Sequence, residues 1–207
     1  FPAPPPSGKV NIELKNISKY YGDKEIFKEL NFQIDRGDKI AFVGPNGAGK
    51  TTLSKIISGQ TDISAGERVV GHNTIISYYA QDVADNLDPE ADIIETIENI
   101  SEEKTIGQLR SLLGSFLFHG DDVFKKVGVL SGGEKSRVAL SKILLTKANL
   151  IVLDEPTNHL DVEAKDELKR ALQEYKGSIL LVCHEPEFYK DVATDIWNCE
   201  DWTTKII

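Results

Sequence analysis

A chain of 207 residues holds one large domain or two small ones, and with 40% hydrophobic and 28% charged residues it has the composition of a packed core under a polar surface. No apolar run approaches the roughly 20 residues of a membrane span, and no charged-then-apolar leader opens the chain. The 33 acidic against 24 basic residues, a net charge of −9, argue against a broadly basic nucleic-acid-binding surface. A local patch (Lys135, Arg137, Lys142, Lys147) is open to two readings, an RNA contact or a solvated helix face, of which the second is favoured. Cys183 and Cys199 fit neither metal-ligand spacing nor a disulfide framework, which points to buried or incidental thiols in a reducing, cytoplasmic setting.

The chain lacks methionine and opens with Phe1, Pro2, Ala3, Pro4, Pro5 and Pro6. Residues 1–8 therefore read as a semi-rigid linker remnant, and the chain as a domain cut from a longer protein. Val10, Ile12 and Leu14 alternate with polar residues, as do Leu30, Phe32 and Ile34, which is strand spacing. A turn at Arg36-Gly37-Asp38 leads to the apolar run Ile40–Val43, a buried strand. Leu53–Ile57 read as helix, stopped at Gly59. Val69-Val70 and Ile75–Tyr79 read as two more strands.

Residues 82–149 are helical in pattern. Helices are expected from Ala91 to Ile100, from about Thr105 to Phe118, and from Gly132-Gly133 onward with Val138, Ala139, Ile143 and Leu144 on one stripe. Leu150–Leu153 is a second fully apolar strand. Asp161 caps a helix that carries Ala164, Leu168, Ala171 and Tyr175 on one face, and Ser178–Val182 is a third apolar strand. Strands alternating with helices imply a parallel sheet covered on both faces. The expected architecture is an α/β cassette over 9–207, with an antiparallel β-subdomain, a mostly parallel core sheet and a helical insertion at about 82–149.

Gly44-Pro45-Asn46-Gly47-Ala48-Gly49-Lys50-Thr51 matches the phosphate-binding pattern G-x-x-x-x-G-K-[ST]. Glycines let the backbone curl so that successive amides face phosphate oxygens. The following helix adds the positive end of its dipole. Lys50 can reach the β- and γ-phosphates, and the Thr51 hydroxyl suits Mg²⁺, a hard ion. The loop lies between a strand and a helix, as the pattern requires.

Leu150–Leu153 runs into Asp154-Glu155. Beside a phosphate loop, such a strand end holds the magnesium shell through Asp154 and places Glu155 to polarise water. Leu130-Ser131-Gly132-Gly133-Glu134 puts a Gly-Gly backbone at a helix N-terminus, a second place for an anion.

Together the phosphate loop, L-S-G-G-E and the apolar strand ending D-E resemble the ATP-binding cassette ATPases, and the match runs from Lys9 onward. The resemblance implies an ATP- and Mg²⁺-dependent ATPase. Gly44, Asn46, Gly47, Ala48, Gly49, Lys50, Thr51 and Thr52 would hold the nucleotide, and Tyr21, with Tyr20 as its rival, would stack on adenine. Thr51, Gln81 and Asp154 would meet the metal. Glu155, Gln81 and His184 would act on the attacking water and the γ-phosphate. It also implies that Ser131, Gly132, Gly133 and Glu134 of one cassette face the phosphate loop of another, so that a complete site needs two cassettes.

Glu155-Pro156-Thr157-Asn158-His159-Leu160-Asp161 resembles the ABC-F branch, two-cassette proteins without a membrane domain, many of which act on ribosomes in translation or antibiotic resistance. The opening eight residues resemble the segment after that branch's interdomain linker, which makes this chain the second cassette. The nucleotide-binding subunit of a membrane transporter is the alternative. One departure stands out: Cys183-His184-Glu185-Pro186 replaces the branch's usual S-H-D-R.

Overall fold

In the computed structural model, residues 2–100, 104–199 and 203–205 are described. Three strands form an antiparallel sheet in the order β2-β1-β4: β1 (Val10–Tyr21), β2 (Lys24–Asp35) and β4 (Ala65–Val70). A six-stranded sheet runs β5-β6-β7-β3-β8-β9, with β3 (Lys39–Val43), β5 (Ile76–Tyr79), β6 (Leu150–Asp154), β7 (Ser178–Val182), β8 (Asp195–Asn198) and β9 (Thr203–Lys205). All its pairings are parallel except β8 with β9.

β1 and β2 are each 12 residues long, far longer than their apolar alternation suggests. Register shifts interrupt their pairing, and Asn16 (φ 47°) and Glu29 (φ 52°) take left-handed backbone beside them. Each bulge inserts a residue and resets which positions face inward, so the period-2 signal is lost although the strand continues.

β6 and β7 are buried at every position. Their residues alternate between two cores. Leu150, Val152, Leu180 and Val182 pack with Leu53, Ile56 and Ile57 of α1 (Lys50–Ser58) and with the inner face of the antiparallel sheet. Ile151, Leu153, Ile179 and Leu181 face the helices on the other side. This is why these strands read as continuous apolar runs: each neighbour points into a different dry layer. Burying each of the three α1 side chains contributes about 1.5–3 kcal/mol, and this fixes the helix that follows the phosphate loop.

Between β5 and β6 lie α2 (Gln81–Asp85), α3 (Ile93–Glu98), α4 (Ile106–Ser115), two 3₁₀ turns (Gly120–Phe124 and Val127–Val129) and α5 (Gly132–Leu145). α3 is shorter than its expected span because Asp92 closes its start with a capping box. α4 starts on the cap Thr105 but stops early, where Leu117 turns left-handed (φ 65°). Asp161 caps α6 (Val162–Glu174), its Oδ1 accepting from the Ala164 amide at 2.9 Å. Tyr175 ends that helix, and its hydroxyl donates to the Ala148 carbonyl at 2.7 Å. α7 (Pro186–Val192) precedes β8. The proline-rich start lies on this body: Gly8 N donates to His72 O, Arg36 to Ser7 O and Asn149 to Pro5 O.

Candidate functional site

The parallel register sets Phe42 opposite Val182 and Val182 opposite Asp154, so β3, β7 and β6 end at one edge of the sheet. The segments after those ends, 44–50, 183–185 and 155–161, therefore converge outside the carboxyl ends of the strands, where open α/β sheets bind ligands. Between them lies a cavity of about 440 Å³, lined by Asn46, Gly47, Gly49, Lys50, Thr51, Thr52, Glu155 and His184. Tyr21, Lys24 and Ile26 close its other side from the β1–β2 hairpin. Tyr20 does not line it, and the Lys19 ammonium sits over the Tyr21 ring at 4.7 Å.

The loop Gly44–Gly49 curls as its sequence predicts. Gly47 (φ 84°) and Gly49 (φ 87°) adopt left-handed backbone that an L side chain would strain. Gly49 is the N-cap of α1 and offers no side-chain cap, so the first amides of the helix stay available to an anion. Gly44 and Ala48 belong to the loop backbone. The Lys50 ammonium is folded back, donating to Gly44 O at 2.8 Å and Pro45 O at 2.9 Å, and the residue is buried. These two carbonyls hold the ammonium at the loop.

At the base of the site the Thr51 hydroxyl donates to Asp154 Oδ1 at 3.3 Å, and Ser54 lies 3.3 Å from Oδ2. Thr51 and Ser54 are one turn apart on α1, so a single helix face brackets both carboxylate oxygens. Burial pushes the Asp154 carboxyl above its ordinary range, against those two hydrogen bonds and the Lys55 and Lys50 charges. Ser54 was not among the sequence-derived site residues; its only sequence signal is its i+3 spacing from Thr51.

Glu155 takes a left-handed backbone (φ 51°), and its amide donates to Val182 O at 2.9 Å. A non-glycine residue held there stores strain, of the kind that gathers at functional sites. The turn aims the side chain into the cavity, with Oε1 at 3.1 Å from His184 Nε2. Burial raises the Glu155 carboxyl; His184 opposes this and Asp154 adds to it.

Gln81 is the first residue of α2, and its side chain lies outside the described residues. The expected L-S-G-G-E residues do not line the cavity. Ser131 caps α5 in a capping box: Glu134 Oε2 accepts from Ser131 N at 2.8 Å and from its hydroxyl at 2.7 Å. The Ser131 bonds, with the nearby Arg137 charge, hold the Glu134 carboxyl low. Gly132 has open space around it, and at Gly133 a Cβ would come 3.0 Å from His159 O. Of the basic patch, Arg137 is mostly buried, paired with Asp161 at 3.0 Å and set over the Phe118 ring.

The donor set suits magnesium. A hydroxyl and a carboxylate are oxygen ligands, and Mg²⁺ takes one or two protein oxygens while keeping several waters and substrate phosphates. The described residues hold no cluster of three or more His, Cys, Asp or Glu side chains able to hold a metal, which that mode of binding does not require.

A curled glycine loop between a parallel strand and a helix, with an acidic neighbouring strand end, defines a nucleotide-binding domain of the P-loop class. The family described as ABC transporter matches residues 27–158. The chain belongs to that family, as an ATP-binding cassette. Similar proteins include the uncharacterized ABC transporter ATP-binding protein YfmM of Bacillus subtilis, 44% identical over 97% of this chain and 38% of the relative. ABC transporter F family member 5 of Arabidopsis thaliana is 41% identical over 97% of this chain and 29% of the relative, and ATP-binding protein Uup of Escherichia coli is 38% identical over 94% and 31%. The chain thus spans well under half the length of these relatives. Among solved structures, the dimeric post-hydrolysis state of the ATP-binding cassette MJ0796 bound to ADP and Pi shares the fold, with a TM-score of 0.77 at 22% identity over 94% of this chain and 96% of that one.

Proposed function

We propose that this cassette binds Mg²⁺–ATP and hydrolyses it as one half of a two-cassette site, within a cytoplasmic ABC-F protein that acts on the ribosome in translation or antibiotic resistance. The observation that carries the ATPase reading is the convergence of Lys50, Thr51, Glu155 and His184 on one cavity above the Thr51–Asp154 hydrogen bond.

Tyr21 stacks on adenine at the hairpin side of the cavity. The amides of 46–52 receive the phosphates. Lys50 exchanges its two carbonyl partners for the β- and γ-phosphate oxygens, a charge-assisted gain that a neutral loop does not offer. Thr51 and Asp154 hold the magnesium shell together with Gln81. Bound there, magnesium neutralises charge that develops on the transferred phosphoryl group. Glu155 accepts the proton of the attacking water, and His184 holds the γ-phosphate side of the pocket. Desolvation suits Glu155 to this task by bringing its proton affinity closer to the working pH.

Ser131, Gly132, Gly133 and Glu134 do not line the Lys50 cavity. This supports a site completed by another cassette, which presents its own L-S-G-G-E segment to this loop. We assign residues 1–8 to a linker remnant, 9–207 to the cassette and about 82–149 to its helical subdomain, and we place the chain as the second cassette of its protein. The ABC-F relatives and the E-P-T-N-H-L-D segment support the ABC-F reading, and the resemblance of residues 1–8 to the segment after that branch's interdomain linker supports the second position. No helix among the described residues is long and apolar enough to cross a membrane.

The test is sedimentation of the full-length protein with ribosomes in ATP, comparing Glu155→Gln with Lys50→Ala. The first should stay ribosome-bound and the second should not. Equal association of the two removes the ribosome reading, and co-purification with a membrane protein favours a transporter subunit.

A further inference from the structure

The turn after β7 departs from its branch at Glu185, and the geometry gives that residue a task. Glu185 stands at the N-cap of α7, yet its side chain makes no capping hydrogen bond to the helix. Its carboxylate turns sideways. Lys165, on α6, donates to Oε1 at 2.9 Å and to Oε2 at 2.8 Å. Burial pushes the Glu185 carboxyl up, but the Lys165 ammonium leads the groups that outweigh it and hold the carboxyl below its ordinary range.

Thr157 is buried and lies two positions after Glu155. The Glu185 amide reaches back to Cys183 Sγ at 3.4 Å, and Cys183 Sγ lies 3.7 Å from the Thr157 hydroxyl. The Cys183 thiol thus joins the segment that carries Glu155 to the Glu185 amide, and the Glu185 carboxylate fastens the segment that carries His184 to α6, the helix that follows the Glu155 segment. The His184 ring needs such support. Its side chain is 46% exposed, and its recorded polar partner among the described residues is Glu155. A half-exposed polar contact of this kind contributes little to stability. Two charge-assisted hydrogen bonds from one ammonium to both oxygens of a carboxylate do fix a geometry.

We infer that Glu185 is a positioning residue that sets His184 against Glu155, with Lys165 as its anchor. The inference rests on the ATPase reading above. It implies that Lys165, remote from the nucleotide, governs turnover rather than binding.

The experiment takes the whole chain with Mg²⁺–ATP and compares Glu185→Ala, Lys165→Ala and Lys165→Arg. Both alanine variants should bind ATP like the parent by calorimetry. Their kcat should fall by about 10- to 100-fold, the scale on which a displaced catalytic group acts, with KM nearly constant. Lys165→Arg, which keeps the bidentate bond, should retain turnover.

A second readout needs no turnover. In the ligand-free parent, Glu155→Gln should shift the His184 ring signals in NMR spectra, and that response should vanish in a Glu185→Ala or Lys165→Ala background. Unchanged kcat in both alanine variants, or a His184 response that survives them, overturns the inference. Failure of the ATPase reading looks different: the parent itself would show no ATP turnover above a Lys50→Ala control, while the NMR arm would still decide the role of Glu185.

Discussion

His184 Nε2 lies 3.1 Å from Glu155 Oε1, although the two residues sit on different strand ends. The carboxylate is thus held at the cavity by a neighbour that also lines it. Glu155→Gln is nearly isosteric and cannot act as a base. Hydrolysis should fall by about 10²- to 10⁴-fold while ATP binding survives. Because burial raises the Glu155 carboxyl, the acid limb of the kcat–pH profile should lie above the ordinary glutamate value of about 4.3. Steady-state rates of parent and variant across pH check both statements.

Lys50→Ala should remove most nucleotide binding. The ammonium is the positive side-chain charge at the loop, held there by Gly44 O and Pro45 O. Calorimetric titration with ATP reads the loss directly, and an unchanged affinity would refute the loop assignment.

Tyr21→Ala should weaken ATP binding by about 1–3 kcal/mol, the range for a base stacked on an aromatic ring. Stacking reads a π-face and not an edge, so GTP should compete. Tyr20→Ala should leave affinity unchanged, since Tyr20 lies outside the cavity. Fluorescent-nucleotide displacement distinguishes the two variants.

Asp154→Asn should stabilise the metal-free, nucleotide-free chain at neutral pH while abolishing magnesium-dependent turnover. Burial raises the Asp154 carboxyl in the folded state, so folding favours the protonated form. The stability that this group contributes is present below its unfolded value of about 3.9 and is lost as pH rises through the higher folded value. An amide avoids that loss and can still bond to Thr51 and Ser54. Scanning calorimetry with chelator should show the variant melting higher at neutral pH, with the difference shrinking in acid.

The isolated chain should be mainly monomeric without nucleotide and a slow ATPase with it, because the L-S-G-G-E segment does not reach its own cavity. Glu155→Gln with ATP should shift the chain toward dimer. Analytical ultracentrifugation with and without ATP measures this, and fast turnover independent of protein concentration would contradict it.

The phosphate loop, the acid pair at the end of β6 and the apolar strands of the parallel sheet are legible in the sequence because each is local. A curled loop needs glycines closely spaced at its turning points, and a strand buried on both faces must be apolar throughout. Bulges hid half of β1 and β2, since each resets the alternation on which a strand is recognised. Side-chain meetings across the fold were not legible. The Ser54–Asp154 contact and the Lys165–Glu185 pair join residues on separate elements. They depend on strand order and on the register that sets Phe42, Val182 and Asp154 side by side. That register follows from how two apolar layers pack around one sheet, and periodicity within a single segment carries no record of it.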